Sequence, residues 1–380
     1  MYKTKKLYKI SVLYLIDQIW CGRGGTEQHL NWLLECIPDD KFKKYFIVFS
    51  RQIDSKDVFP LKPLVFGDIY GTGKLNFVNR FFGLLLYIKK NKIDIIHAFT
   101  VKDEVIAVFA CLLTKSGRVC AHRRNIGYAL NVQKKWMSCF VQLFGIPYIA
   151  NSEAAKIAAI NKEGIDSNRI SVIHNPVFLK RVQEGFQNQI NRNDIPVPMG
   201  CPLIGMVASV RKIKGYEVFI QSAHQVLKIF PNAYFVSVGE QDSYLSTLKD
   251  LSKQLNIEER ILWMGRIDNP FRILPHFTIA VLSSHSESFS NAVLEYAVAG
   301  KAIVATDVGG MREIVTDGES GFLVPPNQPE LFASRIVDLL SDSEKIKKFG
   351  LKAHNFVINN FSEKSILNKY IKFYSEVNEN

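Results

Sequence analysis

Short apolar, β-branched runs alternate with helix-period stretches along this chain, and the whole alternation occurs twice. The first series opens with the run Lys9–Ile16, a glycine-rich turn Cys21-Gly-Arg-Gly-Gly25 and a helix-period stretch from Thr26 to Ile37. Tyr45–Ser50, Ile93–Ala98 and Tyr148–Asn151 read as further strands, and Leu75–Lys90 as a helix. The pattern restarts at Cys201–Val210, followed by a Lys-rich turn ending at Gly215, a helix over Tyr216–Phe230 and a strand over Ala233–Val238. Arg260–Met264, Thr278–Leu282 and Ala302–Ala305 continue the strands, and the last 50 residues read as helical. Strands alternating with helices need a parallel, doubly wound sheet, because each crossover helix covers one face. The sequence therefore predicts an α/β protein of two doubly wound, Rossmann-like domains facing across a cleft. Their expected extents are 1–185 and 186–361, with a terminal segment 362–380. Arg181–Gly200, polar and containing Pro196 and Pro198, reads as the linker.

The length of 380 residues suits two such domains, and 47% hydrophobic with 22% charged residues excludes a disordered chain. The net charge of +12 is unevenly placed. Residues 1–185 hold 28 Lys/Arg against 15 Asp/Glu, and residues 186–380 hold 20 against 21. A basic half beside a neutral one either is a solvated surface or faces something anionic, such as an acidic membrane leaflet or a phosphate-bearing acceptor. The longest apolar runs, Val105–Leu113 and Phe81–Ile88, fall far short of the ~18 residues that span a bilayer. Met1–Lys9 is basic but no signal-peptide pattern follows it. The six cysteines show no C-x-x-C spacing and read as reduced and mostly buried, as in a cytoplasmic protein.

Three segments carry candidate chemistry. Ser284-His-Ser-Glu287-Ser-Phe-Ser-Asn-Ala-Val-Leu-Glu295 follows a strand and opens a helix. A helix starting near Ser290 puts Glu287 at its mouth and Glu295 one to two turns inside, on the same side. The backbone N–H groups of Phe289, Ser290 and Asn291 then favour an anion or a hydroxyl. Ala208-Ser-Val-Arg211-Lys-Ile-Lys214-Gly215, also directly after a strand, supplies cations for a departing diphosphate. Gly24-Gly25-Thr26-Glu27 lets backbone approach a ligand or simply makes a tight turn, and it lacks the G-x-G-x-x-G spacing of a dinucleotide fingerprint. No Asp-x-Asp segment is placed to hold a metal.

The second half resembles the retaining glycosyltransferases of glycosyltransferase family 4 (glycosyl transferases group 1), which have the two-domain GT-B fold. The resemblance rests on Glu287 and Glu295 with seven residues between them, then Ala299-Gly300-Lys-Ala-Ile-Val-Ala-Thr-Asp-Val-Gly309-Gly310-Met-Arg-Glu313, Asp317-Gly318 and Gly321-Phe-Leu-Val-Pro-Pro326. It covers about residues 200–340 well and the first half more weakly. By that resemblance Glu295 holds the ribose hydroxyls of a nucleotide, and Glu287 with the backbone of Phe289–Asn291 holds the donor sugar. Lys214 becomes a diphosphate ligand. Ser209 stands where the family has Arg, so Arg211 is the replacement cation. Arg266 and Ile267, after the strand Arg260–Met264, line the base, and Gly24 and Gly25 lie near the donor phosphates. Ser288 departs from the usual glycine. The terminal helix Glu363–Val377 is implied to cross back to the first half.

The implied activity is retaining, metal-independent transfer of a hexose from a UDP- or GDP-linked sugar, with no other cofactor, to a glycan or lipid-linked acceptor in cell-surface polysaccharide synthesis. Such an enzyme is cytoplasmic, and peripheral on the membrane if the basic half binds it. His122 is a candidate for proton transfer. His97, Arg123 and Arg124 are acceptor-side candidates, although for either histidine alone a hydrogen-bonded structural group is the commoner case. Leu75–Lys90 is amphipathic and fits a core helix or a bilayer surface. Two other classes stay open: a nucleotide-sugar epimerase of the same fold, and a basic membrane or nucleic-acid module. Nucleic-acid motifs are absent, so no nucleic acid is expected, and the missing fingerprint disfavours a nicotinamide dehydrogenase.

Overall fold

The computed structural model describes residues 9–19, 24–51, 59–65, 74–126 and 131–379. Cys21, Gly22 and Arg23 of the first glycine turn, and Met1 to Tyr8 of the basic N-terminus, lie outside the described residues. The chain divides into two compact units, Met1–Asn175 with Lys364–Asn380, and Pro176–Glu363.

In the first unit, β1 (Ile10–Ile19), β2 (Phe42–Arg51), β3 (Leu64–Val65), β4 (Ile95–Ala98), β5 (Arg118–Arg123), β6 (Tyr148–Ala150) and β7 (Ile170–Val172) form one sheet in the order β3-β2-β1-β4-β5-β6-β7. All its pairings are parallel, with Val12 opposite Ile95 and Ile95 opposite Arg118. Its connecting helices are α1 (Gly25–Cys36), α2 (Lys74–Asn91), α3 (Val101–Thr114), α4 (Val132–Gln142) and α5 (Glu153–Ala158). Central strands covered on both sides have no polar face, and β4 is buried at every position. Thr100 starts α3 by accepting from the Asp103 N–H at 3.3 Å, while the Asp103 carboxylate accepts from the Thr100 N–H at 2.9 Å.

In the second unit, β8 (Leu203–Val207), β9 (Tyr234–Val238), β10 (Ile261–Trp263), β11 (Ile279–Leu282), β12 (Ala302–Thr306) and β13 (Gly321–Val324) pair in the order β10-β9-β8-β11-β12-β13. These pairings are also parallel. Its helices are α6 (Leu179–Gln187), α7 (Tyr216–Leu227), α8 (Tyr244–Gln254), α9 (Asn291–Val298), α10 (Pro329–Leu340) and α11 (Ser343–Asn360). In each sheet the order reverses beside the first strand, at β1/β4 and at β8/β11, and ligands of such sheets bind beyond the carboxyl ends at that point. The terminal helix α12 (Glu363–Glu379) packs in the first unit, burying Tyr370 and Tyr374.

Three readings of the sequence need correction. Arg181–Gly200 is not a bare linker: α6 covers its start, with Val182 turned into the core of the second unit. Its apolar positions Leu179, Val182 and Phe186 have helical spacing that the prolines downstream obscured. The cysteines are not mostly buried; of the five described, only Cys120 is, and Cys139 is exposed. α2 buries Leu84 and Ile88 but leaves Phe82 and Leu86 outside, so it is apolar on two sides rather than one.

No helix among the described residues is long and apolar enough to cross a membrane.

Candidate functional site

In the second unit, the loops leaving β8 and β11 meet at the switch point. After β8 the chain makes a single 3-10 turn, Lys212–Lys214, and passes through Gly215 at φ +63°. A Cβ on Gly215 would stand 2.0 Å from the Ser283 carbonyl oxygen, so only glycine allows the two loops to touch. The Ser283 hydroxyl donates to the Gly215 carbonyl at 2.8 Å, and the His285 N–H donates to the Ile213 carbonyl at 2.9 Å. These bonds fix Lys214 against Glu287. The Lys214 ammonium donates to Glu287 Oε1 at 2.6 Å, and the Ser284 hydroxyl donates to the same oxygen at 2.8 Å.

A second contact restrains Glu287 from behind. Gly309 has φ +56°, and a Cβ there would overlap the Glu287 carbonyl oxygen; the next N–H, of Gly310, donates to the Ser288 carbonyl at 2.9 Å. Helix α9 then begins at Asn291, with the Ser290 hydroxyl accepting from the Val293 N–H at 3.4 Å. Tyr296 pins the helix to the sheet: its hydroxyl accepts from the Val207 N–H at 2.6 Å and donates to the Val281 carbonyl at 3.3 Å. Phe289 is buried with its ring on Phe361, and Asn291 is half-buried at the first turn.

Glu295 has its own cation. Arg181 Nη1 lies 3.3 Å from Glu295 Oε1, and the Arg181 carbonyl accepts from the Asn269 side-chain amide at 2.7 Å. Burial pushes the Glu295 carboxyl above its ordinary range, and the Arg181 charge pulls it back down. Arg181 also donates to the Asp268 carbonyl at 3.5 Å, which ties the loop after β10 to Glu295. Arg266 is exposed there, 3.5 Å from the Asp268 carboxylate, and Ile267 packs partly against the core. Arg211 is exposed at the start of the 3-10 turn. Sequence reasoning found Lys214, Glu287 and Glu295 but missed Arg181, hidden in the supposed linker, and Ser284.

In the first unit, Gly24 and Gly25 open α1 as expected from the strand–turn–helix pattern. The Gly24 N–H is engaged by Glu27 Oε2 at 2.8 Å, so Glu27 acts as a cap inside its own helix. Arg124 reaches the Gly25 carbonyl at 3.3 Å and the Asn175 side chain at 2.9 Å, which brings two expected site residues together. Burial lowers the Arg124 pKa to about 10.

Arg123 does not serve the acceptor role assigned to it. It is 4% exposed, its Nε lies 2.9 Å from Glu163, and its Nη1 pairs with Glu104. A buried cation enclosed by two carboxylates is a structural ion pair, unreachable by substrate. The histidines are equally enclosed. His122 Nε2 lies 3.0 Å from the Tyr370 hydroxyl, which is also 2.7 Å from His29 Nε2, and His97 Nδ1 lies 2.7 Å from the Tyr374 hydroxyl. Burial first, then nearby positive charge, lowers His122 well below its ordinary value and His97 to about 3. A ring that stays neutral and is sealed by α12 is not a proton carrier for bound substrate, so the role assigned to His122 is corrected to a structural one. His29, the third member, was not singled out in the sequence because its partner lies 341 residues away.

Among the described residues, no group of three His, Cys, Asp or Glu is arranged to hold a metal ion.

Residues 187–356 match the family model described as glycosyl transferases group 1. The chain is 28% identical over 171 residues to N-acetyl-alpha-D-glucosaminyl L-malate synthase of Bacillus anthracis, a match covering 45% of this chain and 44% of that protein. It is 23% identical over 290 residues to the UDP-Gal:alpha-D-GlcNAc-diphosphoundecaprenol alpha-1,3-galactosyltransferase of Escherichia coli, covering 72% of this chain and 73% of that one. The chain spans about half the length of most of the curated relatives it matches. Among solved structures, Anabaena HepE in complex with UDP superposes with a TM-score of 0.81 at 19% identity, covering 97% of this chain and all of that one. The fold is thus the GT-B fold that the sequence resemblance implied.

Proposed function

We propose, on the match of residues 187–356 to the family model described as glycosyl transferases group 1, that the chain is a cytoplasmic retaining hexosyltransferase. It takes a UDP- or GDP-linked sugar as donor and a hydroxyl of a glycan or lipid-linked glycan as acceptor. The observation that carries this reading is the Lys214–Glu287 pair, held at 2.6 Å beyond the carboxyl ends of β8 and β11. A relative that builds on a diphosphoundecaprenol-linked sugar, and a HepE structure that holds UDP, support the donor and acceptor classes.

In this reading the acceptor oxygen bonds to the anomeric carbon as the bond from that carbon to the diphosphate oxygen breaks. The electron pair leaves with the diphosphate, and the acceptor proton passes to a phosphate oxygen on the same face of the sugar. Lys214 and Arg211 compensate the charge that develops on the leaving group. Glu287 orients Lys214 and offers its second oxygen to sugar hydroxyls. Glu295, steadied by Arg181, takes the ribose hydroxyls, and Arg266 with Ile267 flanks the base. Acceptor recognition is assigned to the basic first unit, where Arg124 is half-buried at the end of β5.

The test is thermal denaturation with a panel of UDP- and GDP-sugars, followed by anomer analysis of the product. At least one nucleotide sugar should raise the melting temperature of the native chain and fail to do so for Lys214→Ala. A panel in which none stabilises the chain sinks the donor assignment, and an inverted product sinks the retaining one.

A further inference from the structure

We propose that helices α2, α3 and α4 of the first unit form one face that docks on an anionic phospholipid bilayer. The three helices lie side by side, α3 packing on both of its neighbours. Each turns its apolar residues inward, as a helix covering a sheet must, and each also carries a second apolar stripe that points outward. On α2 the stripe includes Phe82 and Leu86, both 61% exposed and one turn apart. On α3 it includes Leu112 and Leu113, and on α4 Val132 and Trp136, the tryptophan 74% exposed. A crossover helix in a doubly wound fold needs only one apolar face, so the outer stripes contribute nothing to the core. Apolar patches spread over three neighbouring helices mark an interaction surface.

Charge selects the occupant. Neither α2 nor α4 contains an acidic residue, and the two acids of α3, Asp103 and Glu104, are fully buried. The three helices therefore present no exposed carboxylate, while Lys89, Lys90 and Lys135 are exposed on them. A second copy docking on this face through a two-fold contact would set lysines against lysines. A bilayer with anionic headgroups instead receives the apolar side chains at the acyl boundary, the indole at headgroup depth and the lysines among phosphates. Where α3 and α4 end, the face borders a cavity of about 860 Å³. Leu112 and Phe144 supply its apolar wall; Lys115, Arg118 and Arg169 line it as cations, and Glu376 as its one acid. An apolar wall beside cations has the same amphipathic chemistry as the face.

The inference stands on this surface alone and does not depend on the donor chemistry, so the two fail separately. The full chain is floated with vesicles of phosphatidylcholine, and with vesicles of phosphatidylcholine mixed with phosphatidylglycerol. It should partition onto the mixed vesicles, release as salt is raised, and stay off the neutral ones. Phe82→Glu with Trp136→Glu should weaken partitioning by about tenfold or more. Lys89→Glu with Lys90→Glu and Lys135→Glu should do the same while leaving the apolar stripes intact. Both variants change exposed side chains outside the donor site, so each should keep the native melting temperature and any nucleotide-induced stabilisation. Failure to bind the mixed vesicles overturns the proposal, as does equal binding to neutral ones or unchanged binding by both variants. So does a dimer in sedimentation that the Trp136→Glu change dissolves, which would make the face a contact between copies of the chain.

Discussion

Arg181 Nη1 stands 3.3 Å from Glu295 Oε1, joining a helix at the entrance to the second unit to a carboxylate inside α9. The pair is partly buried, with side-chain exposures of 25% and 14%. Glu295 would be costly to keep charged there without a cation, since burial raises its pKa and Arg181 is what opposes the rise. Arg181→Ala should therefore push the Glu295 carboxyl higher still. In titration calorimetry with the preferred nucleotide, affinity should fall by about tenfold, and the acid limb of binding against pH should move to higher pH. An unchanged acid limb would mean that Arg181 does not tune Glu295.

Glu295 also makes a stability claim with a definite sign. Its folded pKa lies above the ordinary value of 4.5, so the folded state holds its proton more tightly than the unfolded chain. Stability from this group is full below 4.5 and is lost as pH rises through the folded pKa. Glu295→Gln should then melt about 2 °C higher than the native chain at neutral pH. The gain should vanish below pH 4.5, and the variant should lose nucleotide-induced stabilisation at every pH. A lower melting temperature at neutral pH would show that the Arg181 pair outweighs the burial of the charge.

Lys214 tests the chemistry rather than the fold. Its side chain is 24% exposed and its ammonium is bonded to Glu287, which keeps Ser284 as a second partner when the lysine is removed. Lys214→Ala should lower kcat by about 10²–10³ with little change in melting temperature, the magnitude found when one preorganised charge partner of a leaving group is lost. Arg211→Ala, at an exposed position, should cost less. Full turnover by the double variant in steady-state kinetics would remove charge compensation by these side chains from the mechanism.

How much of this was legible in the sequence depends on the reach of each contact. The sheets were legible because central parallel strands such as β4 and β12 are buried throughout and read as short apolar runs. The placing of Lys214 and Glu287 was legible because each follows a strand at the switch point. Their mutual bond was not: a separation of 73 positions hides it. Arg181 was not legible because its charge and the prolines after it mark a linker, although Leu179, Val182 and Phe186 have helical spacing. Arg123 misled because a surface-type residue at a strand end can also be the centre of a buried ion pair, and only the positions of Glu104 and Glu163 decide which.

Gly215 and Gly318 separate steric need from backbone strain. Both have positive φ, +63° and +73°, but a Cβ on Gly318 meets nothing within 4 Å, whereas one on Gly215 runs into the Ser283 carbonyl. Gly318→Ala should cost about 1 kcal/mol, the left-handed penalty alone. Gly215→Ala adds a backbone clash and should cost about 3 kcal/mol or more in urea unfolding. It should also abolish nucleotide-induced stabilisation, because the loop that carries Lys214 must move away from Ser283. Equal costs for the two variants would mean that the loops can part without penalty.

The histidines of the first unit set its acid limit. His29, His97 and His122 are buried around the hydroxyls of Tyr370 and Tyr374, with Tyr14, Cys120, Arg123 and Arg124 among the titratable groups near them. Burial first, with nearby positive charge after it, holds the rings neutral, so each binds its proton less readily folded than unfolded. The stability they contribute is complete above the unfolded value of 6.5 and drains as pH falls; for His97 the window runs from 6.5 to about 3. Urea unfolding at descending pH should show the first unit losing stability from pH 6.5 downward, before ordinary carboxylates titrate. His97→Gln should flatten that slope, since an amide fills the site without gaining a charge. Tyr374→Phe, which removes the partner of His97 Nδ1, should lower stability by about 1–3 kcal/mol. It should also loosen α12 in hydrogen exchange. A native chain whose stability is level between pH 6.5 and 5 would show that the three rings are not held neutral by the fold.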